Sequence, residues 1–266
     1  MATKKEHKIV SASDGSEMTK EQVDKENKRI IKEAAPVGNA TGYRVGAIIL
    51  WVLALGFEVL AILVLAGKVD LKFVSTMVQL IGFLVLDLAC VIIGSQLWKK
   101  ANHIKPASEK NKLKFWLWNN MGVIVCAFCF IPFIILALTD KKADKKTKTI
   151  AVIAACVALA VGGLASADWH PVSAEQKAAA EQVLNGQYVY WTPFGHVYHT
   201  HEDCQALNQT DTLTTGDVEQ AIAEGRTRLC AFCAKKDDIQ GVATDSSVEE
   251  IAETVEEVVE EETPAA

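Results

Sequence analysis

The chain has 266 residues, half of them apolar but only 7% aromatic, at a mean hydropathy of +0.17; one soluble core of ordinary composition is excluded, and the apolar residues must be clustered. Its 27 basic and 33 acidic residues give a net charge of −6, which argues against a globally basic nucleic-acid binder. The charge is unevenly divided: residues 168–266 carry 20 acidic and 5 basic side chains, net −15, whereas residues 1–167 are net +9.

Residues 1–44 form a polar N-terminal segment. Thr19 and Gln22 have capping-box spacing, which predicts a helix over residues 20–35 that Pro36 stops. Four apolar runs then fill residues 45–167, at 45–67, 73–98, 115–138 and 149–167. A helix needs roughly 20 residues to cross ~30 Å of hydrocarbon, and in lipid a helix satisfies its own backbone hydrogen bonds, so each run predicts a transmembrane helix. The first run starts too late and is too long for a removable signal peptide. In the fourth, Ala154, Ala158, Gly162 and Ser166 recur every fourth residue, which either permits close helix approach or merely reflects an alanine-rich composition. Trp98, Trp116 and Trp118 lie near run ends, where amphipathic rings favour the membrane interface.

Glu58 and Asp87 are the ionisable acids within the runs, and no basic residue accompanies them there. An acid at mid-membrane costs at least ~2.5 kcal/mol on insertion scales, so each is a candidate functional group; the alternative is hydrogen-bonding glue between helices. Counted from the ends of the runs, the two lie roughly 13 and 21 Å deep at ~1.5 Å per residue, in one cavity but at different levels.

Four spans place both termini on one side, with twelve flanking basic residues there and seven on the other, which favours cytoplasmic termini. A re-entrant third run, which contains Asn119, Asn120 and Pro132, would change the count to sixteen against three and export the C-terminal part. The sequence leaves both arrangements open.

Residues 168–241 have the makings of a small folded module. Ser173 and Gln176 form a second capping-box pattern opening a helix to Leu184, ended by Asn185-Gly186. Two β-prone stretches at 187–192 and 196–199 flank a turn, and a short helix at 217–224 is ended by Gly225. A core this small usually needs a metal or disulfide. Of the seven cysteines, Cys90, Cys126, Cys129 and Cys156 fall in apolar runs and default to packing. The other three, Cys204, Cys230 and Cys233, cannot pair off completely, but with one imidazole they make a tetrahedral zinc set. Either His199 or His201 supplies the fourth ligand on spacing alone. Residues 242–266 hold eight glutamates and no lysine, and read as a solvated acidic tail.

Gly195-His196-Val197-Tyr198-His199, Cys204-Gln205-Ala206-Leu207, Glu219-Gln220-Ala221 and Gly225 through Cys230-Ala231-Phe232-Cys233 resemble a small bacterial module of secreted and membrane proteins, related to the metal-binding domain of the Ada DNA-repair methyltransferase. The resemblance covers about fifty residues and implies His199, Cys204, Cys230 and Cys233 as ligands. Ada-type domains use four cysteines, one of them a methyl acceptor; histidine at the first ligand position argues against methyl transfer here. The whole layout is also similar to four-helix membrane proteins of gut-type bacteria.

The expected molecule is a mainly α, integral, multi-pass protein of the cell membrane with four transmembrane helices and a small α+β module holding one structural zinc ion per chain. No constellation of catalytic residues is found in the sequence, so the expected role is a non-catalytic binding or interaction module with the lipid bilayer and a protein as partners, and nucleic acid disfavoured by the acidic C-terminal part. Two alternatives are a small ion- or proton-coupled transporter or channel using Glu58 and Asp87, and a membrane thiol oxidoreductase using Cys230 and Cys233.

Overall fold

The computed structural model describes residues 7–23, 25, 38–70, 72, 74–139, 144–184 and 186–245. The described residues divide into two compact units, one drawn from Asn39–Pro171 and the other from Met1–Gly38 together with Val172–Ala266.

The first unit is helical. α1 (Ala40–Leu65), α2 (Thr76–Ile104), α4 (Met121–Thr139) and α5 (Lys145–Ser166) are long and apolar enough to cross a membrane. Asn39 and Asp144 cap α1 and α5 by accepting backbone N–H groups of their first turns. Only 28–33% of the most apolar stretch of each helix is buried, so apolar side chains point outward as well as inward, as lipid exposure requires. The inward set includes Ala54, Ala61, Leu84, Val91, Cys126, Cys129, Phe130 and Phe133. The fourth-residue stripe lies largely inward: Ala158, Gly162 and Ser166 are buried, and a Cβ on Gly162 would meet Cys126 Sγ at 2.8 Å.

The third apolar run is not one helix. α3 (Lys112–Asn119) ends at Asn120, and α4 begins at Met121. Asn120 donates to the Trp116 carbonyl from both its backbone N–H (3.0 Å) and its side chain (2.9 Å). The Trp118 carbonyl instead accepts from Trp98 Nε1 (2.8 Å) and Asn102 Nδ2 (3.1 Å) of α2. The break therefore persists because α2 supplies donors that a continuous helix would make redundant.

The second unit contains a four-stranded sheet in the order β2-β1-β5-β3: β1 is Lys8–Ser11, β2 Glu17–Met18, β3 Val189–Trp191 and β5 Thr212–Gly216. β1 runs parallel to β5, with Ile9 opposite Leu213, and both side chains are buried. The polar N-terminal segment thus contributes a strand to the C-terminal module, Ile9 and Leu213 being 204 residues apart, where the local residues predict no strand. Thr19 and Gln22 make the expected capping-box bonds, and Val23 on the turn that follows is 2% exposed. The remainder of the helix expected at 20–35 lies mostly outside the described residues, as does the tail beyond residue 245.

α6 (Ala174–Leu184) forms where its cap predicts, with reciprocal bonds between Ser173 and Gln176, and α7 (Val218–Ala223) forms within the helix expected at 217–224, opened by a capping box of Asp217 and Gln220 that was not anticipated. The two β-prone stretches do not make a simple hairpin. β3 pairs with β5, whereas β4 (Val197–Tyr198) pairs in parallel with β6 (Arg228–Leu229), and the single bridge Tyr190↔His199 joins the two sheets. Trp191, Tyr198, Leu207, Leu213, Ile222 and Leu229 form the core between them.

Candidate metal centre

Three segments converge on one point. His199 follows β4, where the Tyr190 bridge fixes its backbone through reciprocal 2.7 Å bonds. Cys204 precedes a 3-10 turn, Gln205–Leu207, and Cys230 precedes α8 (Ala231–Lys236), which carries Cys233 on its first turn. Cys230 N–H donates to the Tyr198 carbonyl at 2.9 Å, tying the cysteine knuckle to the strand that delivers the histidine.

One donor atom from each of His199, Cys204, Cys230 and Cys233 lies within 4.8 Å of the others, and all four residues are buried. Cys204 Sγ and Cys230 Sγ are 3.9 Å apart, and Cys233 Sγ is 3.8 Å from His199 Nδ1. Metal–sulfur bonds of ~2.3 Å in a tetrahedron imply ligand separations near ~3.8 Å, so both edges have the right length. Three sulfurs and an imidazole suit a borderline-soft divalent ion, and Nδ1 is the histidine atom turned towards the sulfurs.

The cluster also has the electrostatics of a cation site. Hydrogen bonds from Cys204 and Cys230 hold the Cys233 thiol well below the ordinary thiol range, and hydrogen bonds with Cys230 and Cys233 push Cys204 up. Burial works against a charged His199, but the sulfurs of Cys230 and Cys233 outweigh it and raise its pKa to about 9. These shifts share one cause, three sulfurs and an imidazole crowded at one buried point, and a metal ion bound there would compensate the sulfur charge.

His201 is outside this cluster. Its Nε2 is 2.6 Å from Asp237 Oδ1, and Thr200 Oγ1 donates to Asp237 Oδ2 at 2.5 Å. A groove of ≈ 310 Å³ borders the centre, lined by His201, Asp203, Cys204, Phe232, Cys233 and Lys236 among others. The sequence spacing gave no sign of the Asp237 contact, which depends on α8 folding back beside residues 200–201.

The acids of the helical unit come together at one level. A Cβ on Gly94 would meet Trp51 Nε1 at 2.7 Å, which pins residue 94 of α2 beside residue 51 of α1. Seven residues along each antiparallel helix from that contact lie Glu58 and Asp87. Packing register between the two helices, rather than distance from the run ends, thus sets Glu58 beside Asp87. Glu58 is 4% exposed and Asp87 0%, and neither Glu58 Oε1 nor either carboxyl oxygen of Asp87 makes a hydrogen bond of ordinary length among the described residues.

No protein-family model matches the chain, and neither does any curated protein or solved structure.

Proposed function

We propose that this protein is a membrane-anchored binding or interaction module stabilised by one zinc ion per chain, held by His199, Cys204, Cys230 and Cys233, and that it is not an enzyme. The observation that carries this reading is the gathering of four buried donors at tetrahedral spacing. Cys3His is a donor set of structural zinc sites, and four protein ligands leave no position for a reactive water. Likeness to the Ada-related module rests on the quoted motifs alone, and the histidine at the first ligand position speaks against methyl transfer. Burial of Cys230 (2% exposed) and Cys233 (1%) also disfavours a thiol oxidoreductase, which needs an accessible thiolate.

The bilayer is the proposed first partner, supported by four membrane-length helices with outward apolar faces. β1 and β5 share a sheet, so crossings between them must be even in number, which favours four spans over a re-entrant third run. With twelve basic residues flanking the termini against seven opposite, the module then faces the cytoplasm, where its thiols stay reduced. A protein is the proposed partner of the module, since a net −15 C-terminal part repels nucleic acid.

Elemental analysis of the full-length protein purified in detergent tests the reading. We expect one zinc per chain, lost in Cys230→Ser and Cys233→Ser, with faster hydrogen exchange in residues 186–245 after chelation. A metal-free protein whose exchange pattern is unaffected by a chelator would end it.

A second reading is favoured by the paired acids: an ion- or proton-coupled transporter or channel. Two buried carboxyls at one packing register, with no basic residue in the apolar runs, favour protonation or a shared cation. Proton or sodium flux into liposomes would depend on Glu58 and Asp87; flux unchanged in Glu58→Gln with Asp87→Asn would remove this role.

A further inference from the structure

α3 leaves an apolar stripe bare. Leu113, Trp116 and Leu117 stand at i, i+3 and i+4, so they share one helix face, and they are 68%, 57% and 38% exposed. Lysines precede and flank that stripe along the chain: Lys100, whose ammonium lies 5.2 Å from the Tyr43 ring, Lys105, Lys110, Lys112 and Lys114 are all exposed, and Glu109 is the single acid between residues 99 and 114. The arrangement is held from beneath. The Arg44 guanidinium lies over the Trp98 and Trp118 rings at 5.9 and 5.5 Å, and its Nη2 donates to the Lys105 carbonyl at 2.9 Å. Trp98 and Asn102 fix the Trp118 carbonyl at the α3–α4 break. One arginine thus braces both ends of the lysine-rich connection, and α4, of membrane-spanning length, follows directly.

We propose that α3 and its flanking lysines form a docking surface for anionic phospholipid, with Leu113, Trp116 and Leu117 entering the boundary of the acyl chains and the ammonium groups meeting headgroup phosphates. Charge complementarity and apolar exposure together select this occupant. A zwitterionic surface would accept the stripe but give five lysines no net countercharge. A soluble acidic partner would answer the lysines and leave the stripe in water. An anionic bilayer offers both, and lysine stems reach from the apolar boundary to the headgroup layer. The proposal rests on the membrane reading above and adds lipid selectivity to it.

The test uses the full chain reconstituted in phosphatidylcholine bilayers, with spin-labelled phosphatidylglycerol or spin-labelled phosphatidylcholine as the probe. The expected result is a several-fold preferential association of phosphatidylglycerol that weakens at high salt and falls towards equality in the Lys110→Gln, Lys112→Gln, Lys114→Gln triple variant. Lipids brominated near the glycerol backbone should quench a fluorescence component that Trp116→Phe removes. Equal selectivity in parent and triple variant, in a protein that stays embedded, would overturn the lipid assignment alone. Release of the protein by alkaline carbonate would instead overturn the membrane reading on which it rests.

Discussion

At His199 the bridge to Tyr190 fixes the backbone and turns Nδ1 towards Cys233, whereas two residues on, Asp237 engages His201. His199→Ala is therefore expected to lose the bound metal proposed above and His201→Ala to retain it, as read by metal content of the purified full-length variants. The three cysteines could be picked out from the sequence because thiols grouped outside the apolar runs have few other uses. Spacing alone did not separate His199 from His201, although the motif resemblance pointed to His199; in the fold Asp237 engages His201 and leaves His199 against the thiols. A second residue-scale expectation concerns Asp168. Burial alone would raise its pKa, but His103 Nε2 lies 3.1 Å from Oδ2, and that hydrogen bond together with neighbouring positive charge holds the carboxyl below the usual range. A carboxyl with a depressed folded-state pKa adds stability above its unfolded pKa of ~3.9, and that contribution is lost as pH falls through the lower folded value. Thermal unfolding in detergent should show this acid-side loss, and Asp168→Asn should flatten it while costing about 1.5–3 kcal/mol at neutral pH.

Among the elements, β1 is the one whose contribution the local sequence hides. Its four residues carry little pattern, yet Ile9 (4% exposed) lies against Leu213 (0%) and β1 covers the flank of β5. Replacing Ile9 with Asp would put an unpaired charge there, at a cost of about 2–4 kcal/mol, and should make hydrogen exchange in residues 212–216 faster and zinc easier to chelate. Unchanged exchange would mean that β5 does not depend on β1. α6 was by contrast readable from Ser173 and Gln176, and α7 from its stop at Gly225, because caps and stops act within a few consecutive residues. The break at Asn120 was not readable, because it is stabilised by Trp98 and Asn102, which are 20 and 16 residues from the Trp118 carbonyl that they engage.

At the scale of the molecule, the polypeptide leaves the mixed unit after Gly38 and returns to it at Val172, so the helical unit is an insertion within a discontinuous fold. Compartment reporters fused at the two termini should therefore agree, both indicating the cytoplasm; disagreement would require an odd number of crossings and would be incompatible with the β1–β5 ladder. By itself the sequence determined the number and approximate extent of the long helices, the caps of the short ones and the set of three thiols. Those properties come from hydrophobic length, near-neighbour hydrogen bonding and the chemistry of sulfur, all of which act over short stretches of chain. Only the tertiary structure showed that Asp237 engages His201 while His199 meets the thiols, that Glu58 and Asp87 share a packing register, and that the N-terminal strand completes the C-terminal sheet. Each of these depends on packing register or strand pairing between distant segments, and neither is encoded in the residues of one segment alone.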